Sequence, residues 1–258
     1  MLDVELVHYS EVEKATAIFH RDGFVAIEGT LSSKQLGFAQ EGARRVISEQ
    51  LTAISLEKAN RGYARYSFGS QIHHPEWTQL IDLPTVLSLV EHIFGSDAFY
   101  CSGAGGDYSM PGAKIQHLHS DIREFFHDPL NKVTYQDVPT PMLVINFLMV
   151  DFTEVNGTIR FIPCTHRTRQ PIPSLDDEPN WMKQSILCAP AGTAIFRDVR
   201  CWHGGTANRS DEHRPMTSVG YYAPWFHRTR LDHSMSPSIY DMLSPRAAEL
   251  CRNMIIGD

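Results

Sequence analysis

The chain has 258 residues, 42% of them apolar and 21% charged, with a formal net charge of -7. That composition describes a soluble globular protein, and its acidic balance excludes a general attraction to nucleic acid or to an anionic membrane surface. Five scattered cysteines without a C-x-x-C pair indicate neither a disulfide framework nor a structural zinc site. Small molecules are therefore the expected partners and a reducing cytoplasm the expected location. Acidic residues at the N-terminus do not match a secretory signal, and no apolar run reaches membrane-spanning length. Oligomeric state is not legible.

In chain order, Ser10 and Glu13 form a capping-box pattern ahead of Val12, Ala15, Ile18 and Phe19 at helical spacing, with Gly23 to end the helix. Phe24 to Ile27 reads as a short buried strand. Ser32 or Ser33 is placed to cap a second helix with Leu36, Ala39, Ala43, Val46 and Ile47 on its apolar face. Residues 57–77 turn irregular and rich in aromatics, Arg and His, which suits a loop over a site. A third helix runs from Pro84 to Phe94 and stops at Gly95.

Beyond Gly95 short β-rich runs alternate with Gly, Pro, Asn and Asp, the pattern of a sandwich or barrel. The expected strands are Ala98 to Ser102, Ala113 to His119, Met142 to Val150, Thr158 to Ile162, Ser185 to Cys188, Thr193 to Phe196 and Met216 to Tyr222. Met142 to Val150 is apolar almost throughout apart from Asn146, as befits a strand buried on both faces. Residues 122–141 lack periodicity, and a loop of that length suggests a lid or binding element. Arg123, Phe125, Phe126, His127 and Lys132 within it suit either an acidic or polar substrate or a solvated lid surface. The chain reads as one domain over 1–258, with a helical part to about 95, a β core over about 96–225 and a tail over 226–258.

The chemistry gathers at Gln116-His117-Leu118-His119-Ser120-Asp121. Alternate residues of a strand share a face, so His119 and Asp121 can point to one ion, with a further ligand arriving from far along the chain. Sites that activate oxygen on iron(II) use two imidazoles and one carboxylate on one face of an octahedron. A single H-x-D triplet is weak evidence in a chain with 13 histidines. The stretches Asn156-Gly157-Thr158-Ile159-Arg160-Phe161-Ile162-Pro163-Cys164-Thr165-His166 and Cys201-Trp202-His203-Gly204-Gly205, followed by Asn208, Ser210 and Arg214, add to it, as does the opening Phe19-His20-Arg21-Asp22-Gly23-Phe24.

Taken together and in this order, these motifs resemble the phytanoyl-CoA dioxygenase family of iron(II)- and 2-oxoglutarate-dependent oxygenases. The resemblance implies a mainly β fold with flanking helices around a double-stranded β-helix, a jelly-roll core like that of cupins. It implies iron ligation by His119, Asp121 and His203, and O2 as co-reactant. Arg214, eleven residues after His203, matches the arginine that pairs with the distal carboxylate of 2-oxoglutarate, for which a planar guanidinium is suited. Gln116, Ser210, Thr158 and Arg65 are further expected contacts to that cosubstrate, Thr158 lying one residue off the family's register. Cys164 and Thr165 stand where the family has Gly and Ser. Asp121 is retained where the family's halogenases carry a small residue, which favours hydroxylation of a small metabolite, polar or anionic, with release of succinate and CO2. Desaturation, cyclisation or epoxidation at the same site, a non-catalytic binding protein and a zinc hydrolase are the alternatives. The hydrolase needs a general base that the motifs do not supply.

Overall fold

The computed structural model describes residues 4–125, 127–227 and 234–256; Phe126, one of the residues noted in the long loop, lies outside them. The elements in order are β1 (Leu6–His8), α1 (Val12–Asp22), β2 (Phe24–Glu28), α2 (Ser33–Ala53), β3 (Arg65–Ser67), α3 (Pro75–Thr78), α4 (Pro84–Phe94), β4 (Tyr100–Ser109), β5 (Met142–Leu148), β6 (Ile159–Phe161), α5 (Asn180–Lys183), β7 (Ile186–Leu187), β8 (Ala194–Asp198), β9 (His203–Gly205), β10 (Arg214–Tyr222), α6 (Pro237–Tyr240) and α7 (Pro245–Leu250). A seven-stranded sheet in the order β1-β2-β8-β5-β10-β4-β3 faces a three-stranded sheet in the order β7-β6-β9. This is the expected jelly-roll architecture, mainly β, with the long helices against the large sheet and the short α5 beside the small one.

Strand alternation divides the core. Leu143, Ile145 and Phe147 of β5, with Ala194 and Phe196 of β8, turn outward to meet Phe19, Ala43, Val86 and Val90 from the helices. Phe24, Leu148, Ile195 and Met216 turn inward to Ile159, Phe161 and Leu187 of the small sheet. Phe24 and Phe161 stack across the gap with ring centroids 4.7 Å apart. Each such large side chain contributes about 1.5–3 kcal/mol when fully buried. The apolar run of β5 is thus buried on both faces as expected, and its polar exception Asn146 points inward, where Arg197 meets it.

Helix punctuation departs from expectation at one place. The α1 helix starts on Glu11 without a side-chain cap, and the Ser10 hydroxyl instead bonds His8 Nδ1 at 2.7 Å. A reciprocal capping box occurs at Ser32 and Gln35, where α2 begins. Gly23 ends α1 in the left-handed region at φ 85°. A Cβ there would also lie 2.5 Å from His166 Nδ1, so the turn needs glycine for both conformation and space.

Strand β4 is twice the length expected, because its glycines mark close approach rather than a turn. A Cβ on Gly105 would strike the carbonyl of Gly69, and one on Gly106 the carbonyl of Met216. Within the stretch read as an irregular loop, Arg65–Ser67 pairs with β4 as an edge strand. Residues 113–119 do not form a ladder; they run beside β9 and touch it through Gln116 N to Gly205 O, 2.9 Å, and His119 N to His203 O, 3.0 Å. The C-terminal segment packs down, with Met235, Leu250, Cys251 and Met254 fully buried in the helix-side core. Among the described residues no helix is long and apolar enough to cross a membrane.

Candidate active site

Between the two sheets lies a cavity of about 310 Å³. The main-chain bonds from the 116–121 stretch to β9 and to Val199 set three side chains around one point. His119, Asp121 and His203 each present a ligand atom, all within 4.8 Å of one another. Asp121 Oδ1 lies 3.8 Å from His119 Nε2 and 3.6 Å from His203 Nε2. His203 Nδ1 bonds the carbonyl of Cys201 at 2.9 Å and His119 Nδ1 that of His117 at 3.3 Å. A carbonyl can only accept, so each Nδ1 carries its N–H and donates to it, which leaves the Nε2 lone pair aimed at the shared point.

Electrostatics suit a cation there. Burial pushes His203 down to about 3, reinforced by Arg197, so its imidazole is neutral and able to ligate at ordinary pH. Burial alone would raise the Asp121 carboxyl, but the Arg197 guanidinium beside it outweighs burial and holds the group well below the usual carboxylate range. Two imidazoles and an ionised carboxylate make the donor set that iron(II) takes in oxygen-activating sites.

The other end of the cavity is cationic. Arg214, at the start of β10, is 2% exposed, and its Nε and Nη1 have no hydrogen-bond partner among the described residues. Its guanidinium lies 4.8 Å from the centroid of the Phe152 ring. Burial and the neighbouring Arg65 push it down from its ordinary value, with Asp107 opposing them. A buried cation with unpaired donors costs several kcal/mol, and an anion that supplies the missing acceptors removes that cost. The residues present thus fit a dicarboxylate: its far end on Arg214, its near end toward the His-Asp-His cluster.

The remaining expected residues divide. Gln116 lines the cavity; its Oε1 accepts from Gly205 N at 2.9 Å and its Nε2 reaches the carbonyl of Arg61 at 3.4 Å. Arg65 also lines it, though its donors go to the carbonyls of Lys114 and Thr206, so it braces the cationic end while adding charge to it. A Cβ on Gly205 would collide with this guanidinium. Ser210 stays outside: its hydroxyl bonds Asn208 Oδ1 at 2.7 Å in the turn before β10. Thr158 is fully buried and donates to the carbonyl of Leu187, facing away, while its neighbour Ile159 faces the cavity. The one-residue register offset accounts for that reversal. No described residue of the 122–141 loop lines the cavity. Phe125 packs instead with Tyr135 and Phe226.

Of four further polar residues at the site, Arg61 of the early irregular stretch was a candidate to reach cosubstrate or substrate, and Asn146, Arg197 and Asp107 were not expected. Asn146 and Arg197 stand beside Asp121, and Arg61 and Asp107 form an ion pair of 3.4 Å at the open side. Asn146 had a signal in sequence, as the one polar residue in an apolar strand, and Arg197 had another, as a charge inside a short strand that must be buried. His166 is structural, buried against Gly23. Cys164, in the place of the family's glycine, has φ 65°, the left-handed conformation in which glycine is at ease.

Comparison with known proteins agrees with this geometry. Residues 19–216 match the sequence model of the family described as phytanoyl-CoA dioxygenase (PhyH). An iron/alpha-ketoglutarate-dependent dioxygenase, okaE of Penicillium ochrochloron, is 31% identical over 110 residues, 42% of this chain and 34% of that protein. The dioxygenase cdmA of Talaromyces verruculosus is 27% identical over 159 residues, 56% of this chain and 50% of its own length. The matches therefore span half or less of these relatives. In fold, the chain is similar to the alpha-ketoglutarate-dependent epimerase SnoN from nogalamycin biosynthesis, with a TM-score of 0.62 at 19% identity over 82% of each chain. It is equally similar to EctD from S. alaskensis, crystallised with 2-oxoglutarate and 5-hydroxyectoine, with a TM-score of 0.62 at 18% identity over 84% of this chain and 83% of that one. Motifs, site geometry and family match converge: the chain belongs to the phytanoyl-CoA dioxygenase family of iron- and 2-oxoglutarate-dependent oxygenases.

Proposed function

We propose that the protein hydroxylates a C–H bond of a small polar metabolite while 2-oxoglutarate is converted to succinate and CO2. The observation that carries this reading is the pairing, in one cavity, of the His119-Asp121-His203 cluster with a buried Arg214 whose Nε and Nη1 lack acceptors. His119 Nε2, Asp121 Oδ1 and His203 Nε2 would hold the metal. Iron(II) bound there supplies oxidation by O2, with one oxygen atom going to the substrate as hydroxyl and the other to succinate as CO2 leaves.

The chain's own work is binding and orientation. Arg214 takes the distal carboxylate of the cosubstrate through charge-assisted hydrogen bonds, with Arg65 adding positive charge and Gln116 bordering the same end. Ile159 and Met216 give that end an apolar wall and limit water. The substrate would approach from the open side, past Arg61, Asp107 and Ser120. Charges of both signs at this mouth suit a small polar molecule better than an acyl chain. Hydroxylation is preferred to halogenation because Asp121 keeps its carboxylate at the metal position.

Anaerobic addition of iron(II) and 2-oxoglutarate to the purified protein is expected to give a weak visible charge-transfer band. Admission of air is expected to yield succinate, faster in the presence of a polar metabolite pool, together with a product 16 mass units heavier than its precursor. Asp121→Ala is expected to reduce succinate to background. Absence of both band and succinate in the unaltered protein refutes the oxygenase reading; a product two mass units lighter than its precursor refutes hydroxylation and indicates desaturation or ring closure.

A further inference from the structure

The metal end of the cavity carries an arginine that ligation and cosubstrate anchoring leave without a role. Alternation along β8 sends Ala194 and Phe196 to the helix-covered face, and it turns Arg197 into the cavity six residues ahead of His203. The side chain is fixed at two points. Its Nε donates to Asn146 Oδ1 at 3.0 Å, and Asn146 is itself 2% exposed on the adjacent strand β5. Its Nη1 lies 2.5 Å from Asp121 Oδ2.

The two oxygens of Asp121 therefore have different neighbours. Oδ1 faces His119 Nε2 and His203 Nε2 at 3.8 and 3.6 Å, while Oδ2 faces Arg197. The main chain beneath is also fixed, since Asp121 N donates to Val199 O at 2.8 Å. Coordination counting gives this division a consequence. In an octahedron, two imidazoles and one carboxylate oxygen leave three positions open, enough for a chelating keto acid and for O2. A carboxylate bound through both oxygens leaves only two, and the keto acid would fill them.

We propose that Arg197, braced by Asn146, is a positioning residue that keeps Asp121 Oδ2 off the metal, so that Asp121 binds through Oδ1 alone and a place for O2 remains. This inference rests on the reading of His119, Asp121 and His203 as an iron site. It makes a prediction opposite in sign to simple electrostatics. As a nearby positive charge alone, Arg197 would repel a metal dication, and its removal would tighten binding. As an orienting partner it pre-forms a site that binds through Oδ1 alone: without it the carboxylate is free to rotate, and that loss of pre-organisation weakens metal binding by roughly 10–100-fold, while ligation through both oxygens shows as a changed charge-transfer band.

The test is an anaerobic iron(II) titration of the full chain by equilibrium dialysis, with the charge-transfer band recorded after 2-oxoglutarate is added. Arg197→Met is expected to weaken iron(II) binding by roughly 10–100-fold and to shift or abolish the band. Arg197→Lys, which keeps the charge and one donor, is expected to recover part of both. Asn146→Ala, which leaves the guanidinium unbraced, is expected to show a smaller loss. Circular dichroism checks folding, and if Arg197→Met does not fold, Arg197→Lys and Asn146→Ala carry the same test. A band unchanged in Arg197→Met overturns the inference whatever the iron(II) affinity and leaves the iron site intact, whereas a changed band supports it even where the affinity holds. Failure of the unaltered protein to bind iron(II) overturns the iron reading and this inference with it.

Discussion

Two buried arginines face one cavity from opposite ends, and they differ in what surrounds them. Among the described residues Arg214 has Nε and Nη1 without acceptors, and the charge that acts on it most strongly is another arginine. Arg197 donates through Nε to an amide oxygen and holds Nη1 in an ion pair with a carboxylate oxygen, both supplied by the chain, although this Nη1 makes no aligned hydrogen bond. An arginine paired within the protein is part of the built site, whereas one left without acceptors in the interior is a cost carried for a ligand. The same residue type thus marks scaffold at the metal end and binding capacity at the cosubstrate end.

The two ends are expected to respond oppositely to the same substitution. Arg214→Met replaces an unpaired buried charge by an apolar side chain of similar length, so the apo protein is expected to hold its stability or gain about 1 kcal/mol. The same change should weaken 2-oxoglutarate binding by roughly 10–100-fold, since hydrogen bonds to charged groups contribute about 1.5–3 kcal/mol. Arg197→Met strands Asn146 Oδ1 and is expected to lower apo stability by about 1–3 kcal/mol. Urea denaturation without ligand and calorimetric titration with 2-oxoglutarate measure the two quantities. Loss of apo stability in Arg214→Met would break the contrast, because it would mean that this arginine too is held by the chain.

The metal end also carries a pH signature on the acid side of neutrality, whereas the lowered Arg214 guanidinium of the cosubstrate end acts only at alkaline pH. His203 sits at about 3 in the fold against an ordinary 6.5. Between those values the unfolded chain binds a proton that the folded chain refuses, so this contribution is intact above about 6.5 and is lost as pH falls toward 3. By linkage the apo protein should be about 2 kcal/mol less stable at pH 5 than at pH 7.5 from this group. Urea midpoints at the two pH values measure it, and His203→Gln should flatten the difference. An unchanged pH slope in that variant would show that burial does not keep the imidazole neutral.

Much of the site was legible because its elements are local in sequence. His119 and Asp121 are separated by one residue, His203 is joined to His119 by a main-chain bridge, and Gly205 and Arg214 follow His203 closely in the chain. The residues that escaped are those whose meaning depends on register between distant strands. Arg197 reaches Asp121 only because β8 lies between β2 and β5 and presents its odd-numbered residues inward. Asp107 lies on a strand whose glycines resemble a turn until the carbonyls of Gly69 and Met216 are seen against them. Thr158 and Ser210 fit a motif but spend their hydroxyls on Leu187 and Asn208. A motif gives order along the chain, while the direction of a side chain follows from pairing, which order alone does not contain.

A substitution outside both ends separates fold from site by a smaller amount. Cys164 is exposed and holds φ 65° at the turn after β6, where its N–H donates to Asp22 O at 2.9 Å. A residue with a Cβ costs about 1–2 kcal/mol in that conformation, and glycine removes this strain while adding about 0.4–1 kcal/mol of unfolded-chain entropy. Strain relief is the larger of the two, so Cys164→Gly is expected to stabilise the protein by about 0.5–1 kcal/mol. The hydrogen bond to Asp22 uses the main chain and survives the change, and the thiol packs in no core cluster. Iron(II) and 2-oxoglutarate binding should stay within twofold of the unaltered protein, because the turn lies outside the cavity lining. A rise in the urea midpoint with both affinities unchanged isolates the turn as scaffold, whereas an altered affinity would mean that the strain at Cys164 is transmitted through β6 to His203.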